Sequence, residues 1–222
     1  MCNVSGTIFS IKNLNPKEVE DKRIIEIGSY NINGGIRSVI ESWQPKEYIG
    51  VDISMGPGVD VVCKVEDLVS NFSESSFDIV IANELLEHVE DWRAAIHNMK
   101  SVCKIGGTII ITTRSKGFHY HGYPHDFWRY ELEDMKNIFS DFHITSLESD
   151  SQEPGIFIKA VKPDNYQEND VDSYELYSII LNKKVKIINE TDKKSFYFLK
   201  NYLKEKIKKI LFKWGKYLFM KV

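Results

Sequence analysis

The sequence predicts an α/β fold: a seven-stranded, mostly parallel sheet with helices on both faces, an antiparallel hairpin at its C-terminal end and a helical extension beyond. Three observations carry this. Short strand-like runs alternate with helix-like segments, the pattern of repeated βαβ units. Two of the runs, Ile79-Val80-Ile81 and Ile109-Ile110-Ile111, are apolar without interruption, as strands buried on both faces are. The last two runs flank a turn containing Pro154-Gly155 and read as a hairpin.

Taken in order, residues 1 to about 20 are weakly patterned apart from Asn15–Glu20, which reads as a short helix with Pro16 in its first turn. Strand one is Arg23–Ile27, followed by a helix over about Gly35–Trp43. Strand two is Tyr48–Asp52 and strand three Val59–Val62. Strand four is Phe77–Ala82, then a helix over about Trp92–Cys103, then strand five at Gly107–Thr113. The pattern then changes to a helix at Glu131–Phe139 and the hairpin strands Phe142–Leu147 and Ile156–Val161. One domain is therefore expected over residues 1–162. Residues 163–192 are polar and acid-rich and read as a linker or a poorly packed appendage. In residues 193–222, Leu199, Leu203, Ile207, Ile210, Trp214 and Leu218 recur at helical spacing among lysines, the pattern of a basic amphipathic helix.

Composition bounds the function. Of the 222 residues 42% are hydrophobic and 27% charged, which suits a soluble globular chain, and a net charge of −3 gives no bulk attraction to nucleic acid. Cys2, Cys63 and Cys103 show no metal spacing and fit a reducing compartment. No apolar run approaches the ~20 residues of a spanning helix, and no secretory signal pattern opens the chain. A cytoplasmic location is expected. The C-terminal helix has two readings, packing on the core or peripheral contact with an anionic membrane surface.

Strand one carries Glu26 near its end and runs into a turn at Gly28, and strand two ends in Asp52. Acids at the carboxyl edge of a parallel sheet describe a nucleoside site, with the second acid able to accept from a ribose diol. A dinucleotide would require further glycines for its pyrophosphate. Tyr30 and Asn33 stand there instead, and Glu26 would repel phosphate and attract an amino group. The pattern favours S-adenosylmethionine (SAM), which carries an ammonium and a sulfonium and no phosphate.

Downstream, Phe77-Asp78-Ile79-Val80 leading to Leu86-Glu87-His88-Val89, and Gly106-Gly107 before strand five, add to this. With Tyr30–Gly34, Gly56–Val62 and His121–Tyr130, these segments resemble the Rossmann-like class I SAM-dependent methyltransferases of the type 11 group, in a bacterial and archaeal branch linked to glycan pathways. The resemblance covers roughly residues 20–162. It implies that Gly28, Ser29 and Tyr30 wrap the methionine part, that Asp52 with Ile53 takes the ribose, that Val65 and Glu66 flank adenine, and that Asn83 lies under the methionine amino group. One position departs from the family pattern: Lys64 stands where an adenine-accepting Asp is common, and lysine cannot accept.

Methyl transfer to a hydroxyl needs a group to take its proton. Lys116–Tyr130 holds three of the six histidines within one lid-sized loop. His125 paired with Asp126, or His121 alone, is the expected base, and histidine suits that task near neutral pH. The same loop could be architectural, with Asp126 capping a helix and Trp128 in the core. Glu87 and His88 are expected to cap a helix start. No metal is expected. The resulting expectation is O-methylation of a small-molecule, sugar or glycan-precursor hydroxyl. The alternatives are N- or C-methylation of an amine or lipid-like acceptor, and a SAM-binding scaffold without catalysis. The sequence specifies no oligomeric state.

Overall fold

The computed structural model describes residues 4–31, 34–122 and 125–194, and residues 199–200, 202–204 and 206–207 near the C-terminus. Strand β1 (Arg23–Ile27) lies inside the main sheet because Ile24, Ile25 and Ile27 are all buried. It pairs in parallel with β2 (Glu47–Asp52) on one side and β4 (Phe77–Asn83) on the other. β3 (Val61–Val62) extends the sheet beyond β2, and β5 (Cys103–Arg114) beyond β4. β8 (Gly155–Val161) joins β5 antiparallel, and β7 (His143–Ser149) closes the edge against β8. The order β3-β2-β1-β4-β5-β8-β7 is the seven-stranded mixed sheet expected from the sequence.

Helices cover both faces. α5 (Trp92–Val102) buries Trp92, Ala95, Ile96, Met99 and Val102, the spacing of one helical face, and Asp91 caps it by accepting from the Ala94 N–H at 3.1 Å. α4 (Leu68–Phe72) and α6 (Leu132–Ile138) add Leu68, Met135 and Ile138 to that layer. On the other face lie α1 (Val4–Lys12), α2 (Pro16–Val19) and α3 (Arg37–Ser42), packed through Phe9, Val19 and Ile40 against Ile24, Ile79, Ile81 and Ile110. α2 opens with Asn15 and Glu18 in a reciprocal capping box and Pro16 at its first turn.

Several elements differ from the sequence reading. α1 was not expected, because its mixed Ser, Gly and Thr content hides a helix that is held by tertiary contact. β3 is only two residues long, since Gly58 (φ +86) and Val59 belong to a turn closed by the Val59 N–H on Gly56 O. β5 begins at Cys103 rather than Gly107, pairing with Phe77 across a bulge. The expected helix start near Glu87 is instead one 3₁₀ turn, Leu86–His88.

The largest difference lies in residues 163–192. Here β9 (Leu176–Ser178) and β10 (Lys183–Val185) form a small antiparallel sheet with β6 (Trp128–Arg129), and Leu176, Ile180 and Ile188 are buried in the core. The Arg93 guanidinium donates to the carbonyls of Val171, Tyr174 and Lys186. Buried Lys100 donates to Asp141 at 2.7 Å and to Asn169 at 2.9 Å. The polar composition misleads because backbone and caged charges, not apolar side chains alone, hold this stretch. Of the basic C-terminal helix, Leu199, Leu203 and Ile207 are described as helical and exposed; Ile210, Trp214 and Leu218 lie outside the described residues.

Candidate active site

The carboxyl ends of β1, β2 and β4 open onto a cleft of about 870 Å³. Glu26, Gly28, Ser29, Tyr30, Asp52, Ile53, Val65, Glu66, Asn83 and His125 all line it. His121 and Asp126 do not.

The turn after β1 sets the floor. Gly28 has φ +79 and its N–H donates to Val51 O at 2.8 Å, so the chain folds back onto β2 in a conformation that a side chain would strain. A Cβ there would also press on Leu85 Cδ1 at 3.3 Å. Tyr30 packs its ring over Gly56, where a Cβ would lie 2.2 Å from the ring. Asp52 accepts from the Ser54 N–H at 3.0 Å and lies 3.4 Å from the Tyr30 N–H. Lys64 lines the cleft at the N-terminal side of a 3₁₀ turn, Val65–Asp67, beside Glu66.

Glu26 is buried and accepts from the Tyr48 hydroxyl at 2.7 Å. Burial pushes its carboxyl above the usual range, against the opposing pull of Tyr48 and Arg37. Asn83, the last residue of β4, accepts at Oδ1 from Ser10 Oγ (2.9 Å) and Thr112 Oγ1 (3.3 Å). Its Nδ2 and the Ser29 Oγ are buried and have no partner among the described residues. Buried polar atoms without partners are costly, and here they line a cavity, which marks a ligand surface.

At the other end of the cleft stand residues from two loops. His125 is exposed, its ring 5.5 Å from that of Phe127. The expected His125–Asp126 pair does not form. Asp126 is fully buried, accepts from both terminal nitrogens of Arg129, and faces His121, whose Nδ1 lies 2.9 Å from Oδ2. Burial works against the Asp126 charge, but Arg129 and His121 prevail and hold the carboxyl well below its usual range. Arg129 also donates to the carbonyls of Phe118, His119 and Trp128, so one guanidinium organises the whole loop.

Sequence reasoning missed Glu84, Glu87 and His88. Glu84 has φ +53, lines the cleft and pairs with Arg114. Burial and the neighbouring Glu87 push its carboxyl up to about 8. Glu87 is fully buried rather than capping a helix in solvent, and accepts from Thr113 Oγ1 at 2.9 Å. His88 lines the cleft, sets its Nδ1 against the His125 carbonyl, and lies with its Nε2 2.9 Å from that of His121. The available signal was two acids and a histidine within five residues at the end of a buried strand.

Residues 8–156 match the family described as a methyltransferase domain. No curated protein gives a match. Among solved structures, a S-adenosylmethionine-dependent methyltransferase from Mesorhizobium loti aligns at TM-score 0.55 and 15% identity, over 72% of this chain and 99% of that one. The Burkholderia thailandensis 1,6-didemethyltoxoflavin-N1-methyltransferase, with its substrate and S-adenosylhomocysteine bound, aligns at 0.55 and 12% over 72% and 77%. Phosphoethanolamine N-methyltransferase 2 of Haemonchus contortus, in complex with phosphomonomethylethanolamine and S-adenosylhomocysteine, aligns at 0.55 and 18% over 73% and 53%. At these identities the likeness is one of fold.

Proposed function

This chain belongs to the SAM-dependent methyltransferases, and from that premise we propose that it methylates a hydroxyl oxygen of a small molecule, a sugar or a glycan precursor. The observation that carries the hydroxyl reading is His125, an exposed imidazole lining the same cleft as Gly28, Asp52 and Asn83.

When bound, SAM supplies a methyl group on a sulfonium, which an oxygen nucleophile displaces while the C–S electron pair stays on sulfur. The residues of the cleft fit that donor. Asn83 Nδ2 and Ser29 Oγ offer unused hydrogen-bonding atoms. An amide N–H₂ donates, so Asn83 suits the methionine carboxylate rather than the amino group inferred from sequence. Glu26 answers the ammonium, whose charge restores the ionisation that burial opposes. Asp52 accepts from the ribose diol, and Ile53, Val65 and the Glu66 turn bracket adenine without the acid that Lys64 replaces. His125 receives the hydroxyl proton and, being exposed, returns it to water.

Incubation with ¹³C-methyl SAM and a panel of sugars and glycan intermediates tests the reading. A methyl-ether carbon signal together with S-adenosylhomocysteine is the expected result. A methylamine or C-methyl signal would move the acceptor to nitrogen or carbon, and SAM binding without turnover would leave a scaffold.

Donor binding has its own expected outcome. Asp52→Ala should weaken SAM at least tenfold, since hydrogen bonds to a charged group contribute about 1.5–3 kcal/mol each. Equal affinities in calorimetric titration would remove Asp52 from the ribose role.

No described helix is long and apolar enough to cross a membrane. Peripheral contact is proposed for the C-terminal helix, supported by its exposed Leu199, Leu203 and Ile207 among lysines. Truncation after residue 195 should abolish co-sedimentation with anionic vesicles, an attraction of ~1 kcal/mol per lysine that salt weakens. Intact protein that ignores such vesicles would return this helix to core packing.

A further inference from the structure

A second cluster lies beside the cleft, and the donor and proton roles above leave it unused. Glu87 and His88 come from the 3₁₀ turn after β4, and His121 from the loop after β5. His88 Nε2 and His121 Nε2 are 2.9 Å apart, and Glu87 Oε1 lies 4.0 Å from the first and 3.9 Å from the second. Among the described residues this is the only trio of His, Cys, Asp or Glu whose donor atoms converge in this way.

Proton accounting shows what the trio lacks. The His88 Nδ1 faces the His125 carbonyl, which can only accept, so the proton of the neutral ring sits on Nδ1. The His121 Nδ1 lies 2.9 Å from Asp126 Oδ2, out of line for a hydrogen bond, yet a bare lone pair facing the carboxylate at that range would be repelled, so its proton sits there too. Both Nε2 atoms are then bare and face each other. Glu87 Oε1 is buried and has no hydrogen-bond partner among the described residues. A shared proton between the rings would satisfy two of the three atoms. It would leave Glu87 Oε1 at 3.9 Å or more, beyond hydrogen-bond range. A cation satisfies all three.

The distances fit one. Donors ~2.0–2.2 Å from a metal stand roughly 3–3.5 Å from one another, so the trio closes on an ion with sub-ångström shifts. The His125 carbonyl holds the His88 Nδ1 proton, and Asp126 faces the His121 Nδ1 at 2.9 Å, the places that outer acceptors take around metal-bound histidines. Two imidazoles and one carboxylate select a first-row transition ion over Mg²⁺ or Ca²⁺, which prefer oxygen alone.

We propose that Glu87, His88 and His121 bind a divalent first-row transition cation such as Zn²⁺, with open coordination positions toward the cleft that His88 lines. The sequence reading of no metal is thereby revised. An acceptor hydroxyl ligated there would be more acidic and better placed for methylation. That last role rests on the hydroxyl-acceptor reading; the cation site does not.

Tag-free full-length protein, stripped with a chelator, is titrated with Co²⁺ and Zn²⁺ alone. One equivalent should bind, with visible Co²⁺ bands and a raised Tm. His121→Phe and Glu87→Gln should lose at least tenfold in affinity, the scale on which even outer partners act. His97→Ala, an exposed histidine paired with Glu168 away from the trio, should bind as wild type does. No uptake by the wild type, or uptake unchanged in His121→Phe and Glu87→Gln, overturns the site. Should those variants fail to fold, X-ray absorption of the Zn²⁺-loaded wild type decides: two imidazoles with oxygen are expected, and a sulfur-containing or all-oxygen shell overturns the site. SAM titrated into the same samples separates the two ideas, because lost SAM binding with intact metal binding counts against the methyl-donor assignment alone.

Discussion

Arg129→Leu is expected to destabilise the protein by ~3–5 kcal/mol, the cost of removing one partner from a buried ion pair. Arg129 is 1% exposed and Asp126 is fully buried, so the variant strands a carboxylate away from water. Three loop carbonyls lose their donor as well. The pH dependence has a definite sign. In the wild type Asp126 is held below its usual range, so its contribution is complete above about pH 4 and fades only in stronger acid. In the variant burial acts with less opposition, the carboxyl rises, and protonation at mildly acidic pH relieves the penalty. Urea midpoints should therefore differ most near pH 8 and converge as pH falls toward 4. A deficit independent of pH would mean that lost packing, not the stranded charge, dominates.

His125→Ala should lower turnover by about 10²–10⁴ with SAM affinity unchanged, the usual range for a general base. The exposed ring makes little packing contact, so thermal stability should hold within about 0.5 kcal/mol. The test is kcat against the calorimetric Kd for SAM in the same preparation. Near-full turnover would leave His125 a rim residue and shift the proton to the acceptor's contact with the Glu87–His88–His121 cluster.

The strand-end half of the cleft was legible because it is local. Acid-ended strands and a Gly28 turn are set by a few consecutive residues, and buried strands announce themselves as isoleucine runs. The loop half was not, because its contacts span the chain. Asp126 has His125 as its neighbour in sequence, yet it turns to Arg129 and to His121. Glu87 reads as a surface acid until Phe127 donates to its carbonyl and the loop after β5 covers it. Residues 163–192 look like linker by composition, since nothing in the local pattern shows that Arg93 and Lys100 on α5 would seize their carbonyls and Asn169.

β6 sits within the length of chain that matches other methyltransferase domains, while its partner β9 lies past residue 156, where that match ends. The Phe127 carbonyl, next to Asp126, accepts from the Ile179 N–H in the same way. The loop bearing His121 and His125 is thus buttressed by a segment that lies outside the matched length of chain. Changes in that segment can tilt or tighten the loop without disturbing the ends of β1, β2 and β4. Grafting the 163–192 stretch between homologous chains is therefore a way to move that loop while the strand ends stay as they are.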